Sequence, residues 1–217
     1  MAIYLYLDTS SEASSIMLLQ EGKVLAFRTN AVQKDHASLI NIHIAALLEE
    51  VDIKMRDLAG VCVLNGPGSY TGLRISLATA KGICYACGIP LFLFTKLDLL
   101  FHESPLDKRS ETNMVVITAR EDEFFYASFD SQGHLLSQPS LSTTAEITAI
   151  LTQDVCSLFY IDDNVKEKWP SSIQTTITQE GIARFVEHRL QTERSADLFL
   201  SEPFYMKNVH INKINKL

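Results

Sequence analysis

Asn65-Gly66-Pro67-Gly68-Ser69-Tyr70-Thr71-Gly72-Leu73-Arg74 joins the apolar run Gly60-Val61-Cys62-Val63-Leu64 to a helix-forming stretch that ends near Cys87. The run at 60–64 is continuously apolar, the pattern of a strand buried on both faces. A glycine-rich turn between a buried strand and a helix sets backbone N–H groups and a positive helix end at the turn. Ser69 and Thr71 add hydroxyls. The stretch is not a Walker A loop, because no Lys follows Gly72, and Thr71 breaks a G-x-G-x-x-G pattern. On its residues alone it reads equally well as a tight structural turn and as an anion site.

Downstream, the helix reads from about Thr71 to Cys87, with Gly88 as its left-handed stop and Pro90 beyond. Ser76, Ala80, Cys84 and Cys87 make a stripe of small residues suited to close packing. Cys84 and Cys87 sit at the helix C-terminal end, where the dipole opposes thiolate formation, and no second pair completes a zinc set. Ile89 to Phe94 is a further strand, and Thr95-Lys96-Leu97-Asp98 resembles a capping box.

Upstream, Ile3–Leu7, Ser15–Leu19 and Lys23–Arg28 read as three strands of a β-meander, with Gln20-Glu21-Gly22 turning the chain. Asp8-Thr9-Ser10-Ser11 closes the first strand. Such an Asp holds a metal-bound water or a nucleotide phosphate in a two-lobed phosphotransferase, or else bonds its own turn. Asp35 is placed to cap a helix from His36 to about Val51, apolar on most sides and so buried on more than one. His36 and His43 lie two turns apart, without an H-x-x-x-H metal spacing.

The polar stretch Lys108 to Asn113 marks a boundary between an N-terminal lobe at 1–107 and a smaller C-terminal lobe at 108–217. Beyond it the opening repeats: a strand at Met114–Ile117, a polar turn at Thr118-Ala119-Arg120, a strand at Phe124–Phe129 and the turn Ser131-Gln132-Gly133. Where the first strand of the first meander ends on Asp8, the equivalent strand of the second ends on Thr118, so one of two symmetric carboxylates is missing and phosphoryl transfer is not expected. A helix near Thr144–Leu151, a strand at Cys156–Ile161 and a helix near Gln179–Leu190 follow, and the tail from Tyr205 carries Lys207, His210, Lys213 and Lys216.

The 217 residues are 47% hydrophobic with a net charge of −7, an ordinary globular composition that argues against gripping RNA without a basic partner. No signal-peptide layout or membrane-length apolar run is present, and four cysteines make no disulfide framework. A reduced, cytoplasmic setting is expected. No serine or cysteine has an evident base, so no catalytic residue is assigned.

Leu7-Asp8-Thr9-Ser10-Ser11-Glu12-Ala13-Ser14, Asp35-His36-Ala37-Ser38-Leu39, Gly66 through Ile75 running on to Ala78-Thr79-Ala80-Lys81-Gly82, and Glu202-Pro203-Phe204-Tyr205-Met206 together resemble motifs of the TsaB (YeaZ) family. The resemblance is densest over residues 1–100. It implies an α/β, two-lobed actin/Hsp70/sugar-kinase-like (ASKHA, ribonuclease H-like) fold, in agreement with the repeated meander. It implies a non-catalytic scaffold for N6-threonylcarbamoyladenosine formation at position 37 of ANN-decoding tRNAs. The implied partners are the catalytic paralogue TsaD and the ATPase TsaE, with a homodimer or a monomer in isolation and tRNA reached through the complex. The candidate anion- or nucleotide-binding residues are Asp8, Thr9, Ser10, Gly66, Gly68, Ser69, Thr71 and Gly72. The candidate partner face, on the first two helices, is His36, Leu39, Ile40, His43, Leu47, Arg74, Leu77, Ala78 and Lys81. No cofactor is required, and ATP or ADP with Mg would belong at the complex interface. The alternatives are a phosphotransferase or ATPase of the same fold, and a metalloprotease in line with older glycoprotease-like labels. The family often carries Asp-Ala-Arg at 118–120 and a Gly-Asp-Gly loop where this chain has Ile161-Asp162-Asp163-Asn164, and both departures weaken nucleotide binding.

Overall fold

A computed structural model describes residues 1–153 and 156–205. Strands β1 (Tyr4–Asp8), β2 (Ser14–Gln20) and β3 (Lys23–Asn30) form the first meander, and β4 (Gly60–Leu64) and β5 (Leu91–Phe94) add to it in parallel, giving the order β3-β2-β1-β4-β5. Strands β6 (Thr112–Arg120), β7 (Glu123–Asp130) and β8 (Leu135–Thr143) form the second meander, extended by β9 (Cys156–Tyr160) and β10 (Ile173–Gln174) in the equivalent order. The parallel additions need helical crossovers. These are α1 (His36–Glu50) and α2 (Tyr70–Cys87) in the first half, and α4 (Thr144–Gln153) and α5 (Asp163–Lys168) in the second.

Each half ends in a third helix, α3 (Lys96–Glu103) and α6 (Gln179–Leu190), and these two are exchanged. Leu97, Leu100 and Phe101 of α3 pack with Val115, Ala127, Phe129 and Phe159 of the second sheet. Ile182, Ala183, Phe185 and Val186 of α6 pack with Tyr6, Met17 and Leu19 of the first. Helix α6, late in the sequence, therefore packs on the first sheet.

Several local readings change. Strand β6 runs on through Thr118-Ala119-Arg120, which is extended rather than a turn, because it pairs with β7 as far as Arg120–Glu123. Asp35 makes no side-chain cap: a 3-10 turn at Gln33–Asp35 leads straight into α1. Helix α5 and strand β10, at six and two residues, are too short for a periodic signal. The α2 limits fall within a residue of the reading, with Gly88 left-handed at φ 65°; the cap at its start, Ser69 Oγ accepting from Gly72 N, is an addition. The basic tail Lys207, His210, Lys213 and Lys216 lies outside the described residues.

Candidate functional site

The β1–β2 turn, the β4–α2 turn and the start of α3 meet at one wall of an inter-lobe cleft of about 780 Å³, and Thr118, Arg120 and Asp162 line the opposite wall. The glycines of the β4–α2 turn are there for packing. A Cβ on Gly72 would overlap the Thr9 carbonyl, and one on Gly68 would fall 2.6 Å from Ser10. Thr9 Oγ1 donates to the Gly72 carbonyl at 2.6 Å, and Ser69 N donates to the Ser10 carbonyl at 2.8 Å. Gly66, at φ 119°, offers its carbonyl to Lys96 N at 2.7 Å. The two turns thus grip each other backbone to backbone, an approach open only to glycine. Thr71 is exposed on the first turn of α2, outside this contact.

Asp8 is buried and accepts from Ser10 N at 2.7 Å and Ser10 Oγ at 2.6 Å. The buried Lys96 completes the group, its Nζ donating to Ser10 Oγ (2.8 Å) and Ser11 Oγ (2.6 Å) and lying 3.7 Å from Asp8 Oδ2. Buried charges persist when paired and hydrogen-bonded. The Asp8 carboxylate is therefore already balanced by a cation of its own chain. Across the cleft Asp162 accepts from Thr118 N at 3.0 Å and from the Thr118 hydroxyl. A carboxylate occupied by Lys96, facing a threonine occupied by Asp162, does not fit a Mg-bound nucleotide. Lys96 escaped the sequence reading because its neighbours cast it as the first residue of a capped helix. That cap exists, Asp98 N donating to Thr95 Oγ1 at 3.1 Å, but it says nothing of where the Lys96 ammonium goes.

Helices α1 and α2 lie side by side on one face of the first sheet, and much of the expected partner face is turned inward. Ile40, Leu47 and Leu77 belong to the core with Leu5, Leu18 and Val63, and His36 is buried with Nε2 3.2 Å from the Asn30 carbonyl. These four present no surface, because the sheet takes the most apolar stripe of each helix. Leu39 and His43 are half-buried, and Arg74 and Ala78 are exposed. The small stripe Ser76, Ala80 and Cys84 is buried as well, letting α2 settle closely on its own sheet. Outside, Ile42 and Ala45 on α1 and Ala78, Gly82 and Tyr85 on α2 lie among exposed polar residues such as Asn41, Glu49 and Arg74, with Ile42 60% and Tyr85 71% exposed.

A segment the sequence reading used only for its motif crosses this face. Residues 196–205 run over α2 and the β4–α2 turn: Lys81 Nζ donates to the Phe199 and Ser201 carbonyls at 3.1 and 2.8 Å, and Asn65 Nδ2 to the Glu202 carbonyl at 2.9 Å. Arg74 Nε donates to Tyr205 Oη at 2.7 Å, and the Tyr205 ring stacks on Tyr70 at 4.7 Å.

The family model described as TsaD, tRNA N6-adenosine threonylcarbamoyltransferase, matches residues 28–186. The tRNA threonylcarbamoyladenosine biosynthesis protein TsaB of Bacillus subtilis is 34% identical over 96 residues, 44% of this chain and 42% of that protein. The TsaB of Buchnera aphidicola is 25% identical over 170 residues, 77% of this chain and 76% of the relative. Among solved structures, YeaZ from Pseudomonas aeruginosa superposes with a TM-score of 0.76 at 22% identity, over 94% of this chain and all of that one. A putative N-acetylglucosamine kinase from Porphyromonas gingivalis shares the fold at a TM-score of 0.50 and 8% identity, over 88% of this chain and all of that one. The family model, the TsaB relatives and the shared two-lobed ASKHA fold converge: the chain belongs to the TsaD-type threonylcarbamoyltransferase family, in its TsaB (YeaZ) group.

Proposed function

We propose that this chain is a non-catalytic scaffold in the formation of N6-threonylcarbamoyladenosine at position 37 of ANN-decoding tRNAs, and that it holds the catalytic paralogue TsaD through the outer face of α1 and α2. The observation that carries the reading is the Asp8–Lys96 pair. It fills with an internal ion pair the place where a phosphotransferase of this architecture would need a free carboxylate, so the phosphotransferase or ATPase alternative is not favoured. Among the described residues no group of three or more His, Cys, Asp or Glu is placed to hold a metal, which gives the metalloprotease reading no support. The outer face exposes Ile42, Ala45, Ala78, Gly82 and Tyr85 between polar neighbours such as Asn41 and Arg74, and helices pack closely through small, apolar patches of this kind. TsaE then joins the pair, tRNA is reached through the complex, and two copies pair when the paralogue is absent. The work is placed in the cytoplasm. Among the described residues no helix is long and apolar enough to cross a membrane.

The test is co-purification of the full chain with the paralogue, combined with mass spectrometry of tRNA nucleosides from cells carrying Ile42→Asp or Ala78→Asp. Both variants are expected to stay folded, to lose the paralogue and to lose the modified nucleoside. Intact modification in cells depleted of this protein overturns the reading.

A further inference from the structure

We propose that residues 196–205 form a detachable strap, closed over α2 and the β4–α2 turn in the free chain and released when a protein docks on α2. The proposal rests on the scaffold reading for its partner but not for the strap itself.

The strap is held by a row of polar bonds, by ring contacts and by two half-buried apolar residues, Ala196 and Leu198, against the first core. No residue from 191 to 205 is fully buried. Its polar attachments are the bonds from Lys81, Asn65 and Arg74 and two backbone bonds, Ala196 N to the Leu91 carbonyl at 2.8 Å and Phe204 N to the Asn65 carbonyl at 3.1 Å; its ring contacts are the Tyr70–Tyr205 stack and Phe199 edge-on to Tyr85 at 6.2 Å. Elements with few buried apolar contacts open at the low end of a protein's range of local stabilities. What it covers is different in kind. Asn65, Gly66 and Leu73 beneath it are buried, and the Phe204 carbonyl is pressed against Gly66, 2.9 Å from where a Cβ would stand. A cover with no fully buried residue of its own, lying over buried groups, is the arrangement of a latch.

The latch is anchored on the partner face. Arg74 and Lys81, one turn to either side of Ala78, are the two cations of α2, and the strap uses both. The guanidinium of Arg74 also lies 4.2 Å over the Tyr70 ring. A protein seated on Ala78 and reaching either cation takes it from the strap. At the other end Phe204 and Tyr205 line the inter-lobe cleft, so release at α2 also opens the cleft mouth. Docking on α2 and closure of the strap are thereby negatively coupled, since both draw on Arg74 and Lys81.

Hydrogen–deuterium exchange of the full chain tests this in two arms. Without partner, Lys81→Met combined with Tyr205→Ala is expected to speed exchange of peptides containing Ala196 and Phe204 by roughly tenfold or more, with β4 unchanged. Unchanged exchange in the strap overturns the latch, and faster exchange in β4 as well shows that the segment is integral to the fold and overturns it too. With the catalytic paralogue added to the unaltered chain, α2 is expected to slow while the strap speeds up. Slowing of both makes the strap a fixed part of the interface and overturns the coupling. If the paralogue does not bind, the scaffold reading falls, and the partner-free arm still decides whether the strap is a latch.

Discussion

The carbonyl of Thr9 and the α-carbon of Gly72 are packed so closely that a methyl group at position 72 would overlap the Thr9 oxygen, while Thr9 Oγ1 donates back to the Gly72 carbonyl. This one contact joins the β1–β2 turn to the first turn of α2 and so fixes the near wall of the cleft. The clash is with backbone, which cannot rotate away. Gly72→Ala is expected to destabilise the chain by about 2–3 kcal/mol even though alanine is the better helix former. Urea unfolding reads this as a lower midpoint, and a midpoint equal to that of the unaltered chain would show that the turns separate freely.

Lys96 is expected to be a stability residue. Lys96→Met leaves the Asp8 carboxylate without its cation and two serine hydroxyls short of a donor, a loss of about 1–3 kcal/mol for a pair that keeps slight solvent contact. Asp8→Asn in the same background should cost less than it does alone, because the charge to be balanced is already gone. A double-mutant cycle by thermal unfolding measures that coupling, and strict additivity rejects it.

Position on a helix separates core from face. Leu47→Asp places a charge in the core formed with Leu5 and Val63, and the chain is expected not to fold. Ile42→Asp, one and a half turns away on α1, sits at a 60% exposed site and should shift the unfolding midpoint within the range of ordinary surface changes. Circular dichroism melts of the two variants make the comparison, and it is needed before either is used to probe binding.

His102 makes stability depend on acidity. It lies between α3 and α6, near Glu103, His188, Arg109 and Phe185, and burial holds its pKa below the usual 6.5 despite the bond to Glu103. The unfolded chain therefore takes up a proton before the folded chain does. The stabilising contribution is present above pH 6.5 and is lost as the pH falls through the depressed folded-state value. Urea midpoints at pH 7.5 and 5.5 should differ less in His102→Gln than in the unaltered chain, and an equal difference would assign the acid sensitivity elsewhere.

The buried thiols should be inert. Burial raises the Cys84 pKa to about 11 and pushes that of Cys62 still further up, so neither is a thiolate near neutrality. An aromatic disulfide reagent at pH 8 should leave both unmodified until denaturant is added, as peptide mapping would show.

Elements that carry a strong local pattern could be read directly from the order of residues. The meander strands, the buried strand at 60–64, the α2 limits near Thr71 and at Gly88 and the repetition of the opening pattern after residue 108 are all legible, because alternation, capping and turn chemistry act over a few residues. Family membership was legible for the same reason, as linear motifs. The exchange of α3 and α6 between sheets emerges only with packing, since an amphipathic helix shows that it has an apolar stripe and not which sheet receives it. Packing decided too that Ile40, Leu47 and Leu77 are core while Ile42 and Ala78 are surface, because a helix apolar on most sides leaves its inward direction open until the sheet is in place. And it set Lys96 against Asp8, 88 positions away in sequence, turning a carboxylate with several readings into half of an internal ion pair.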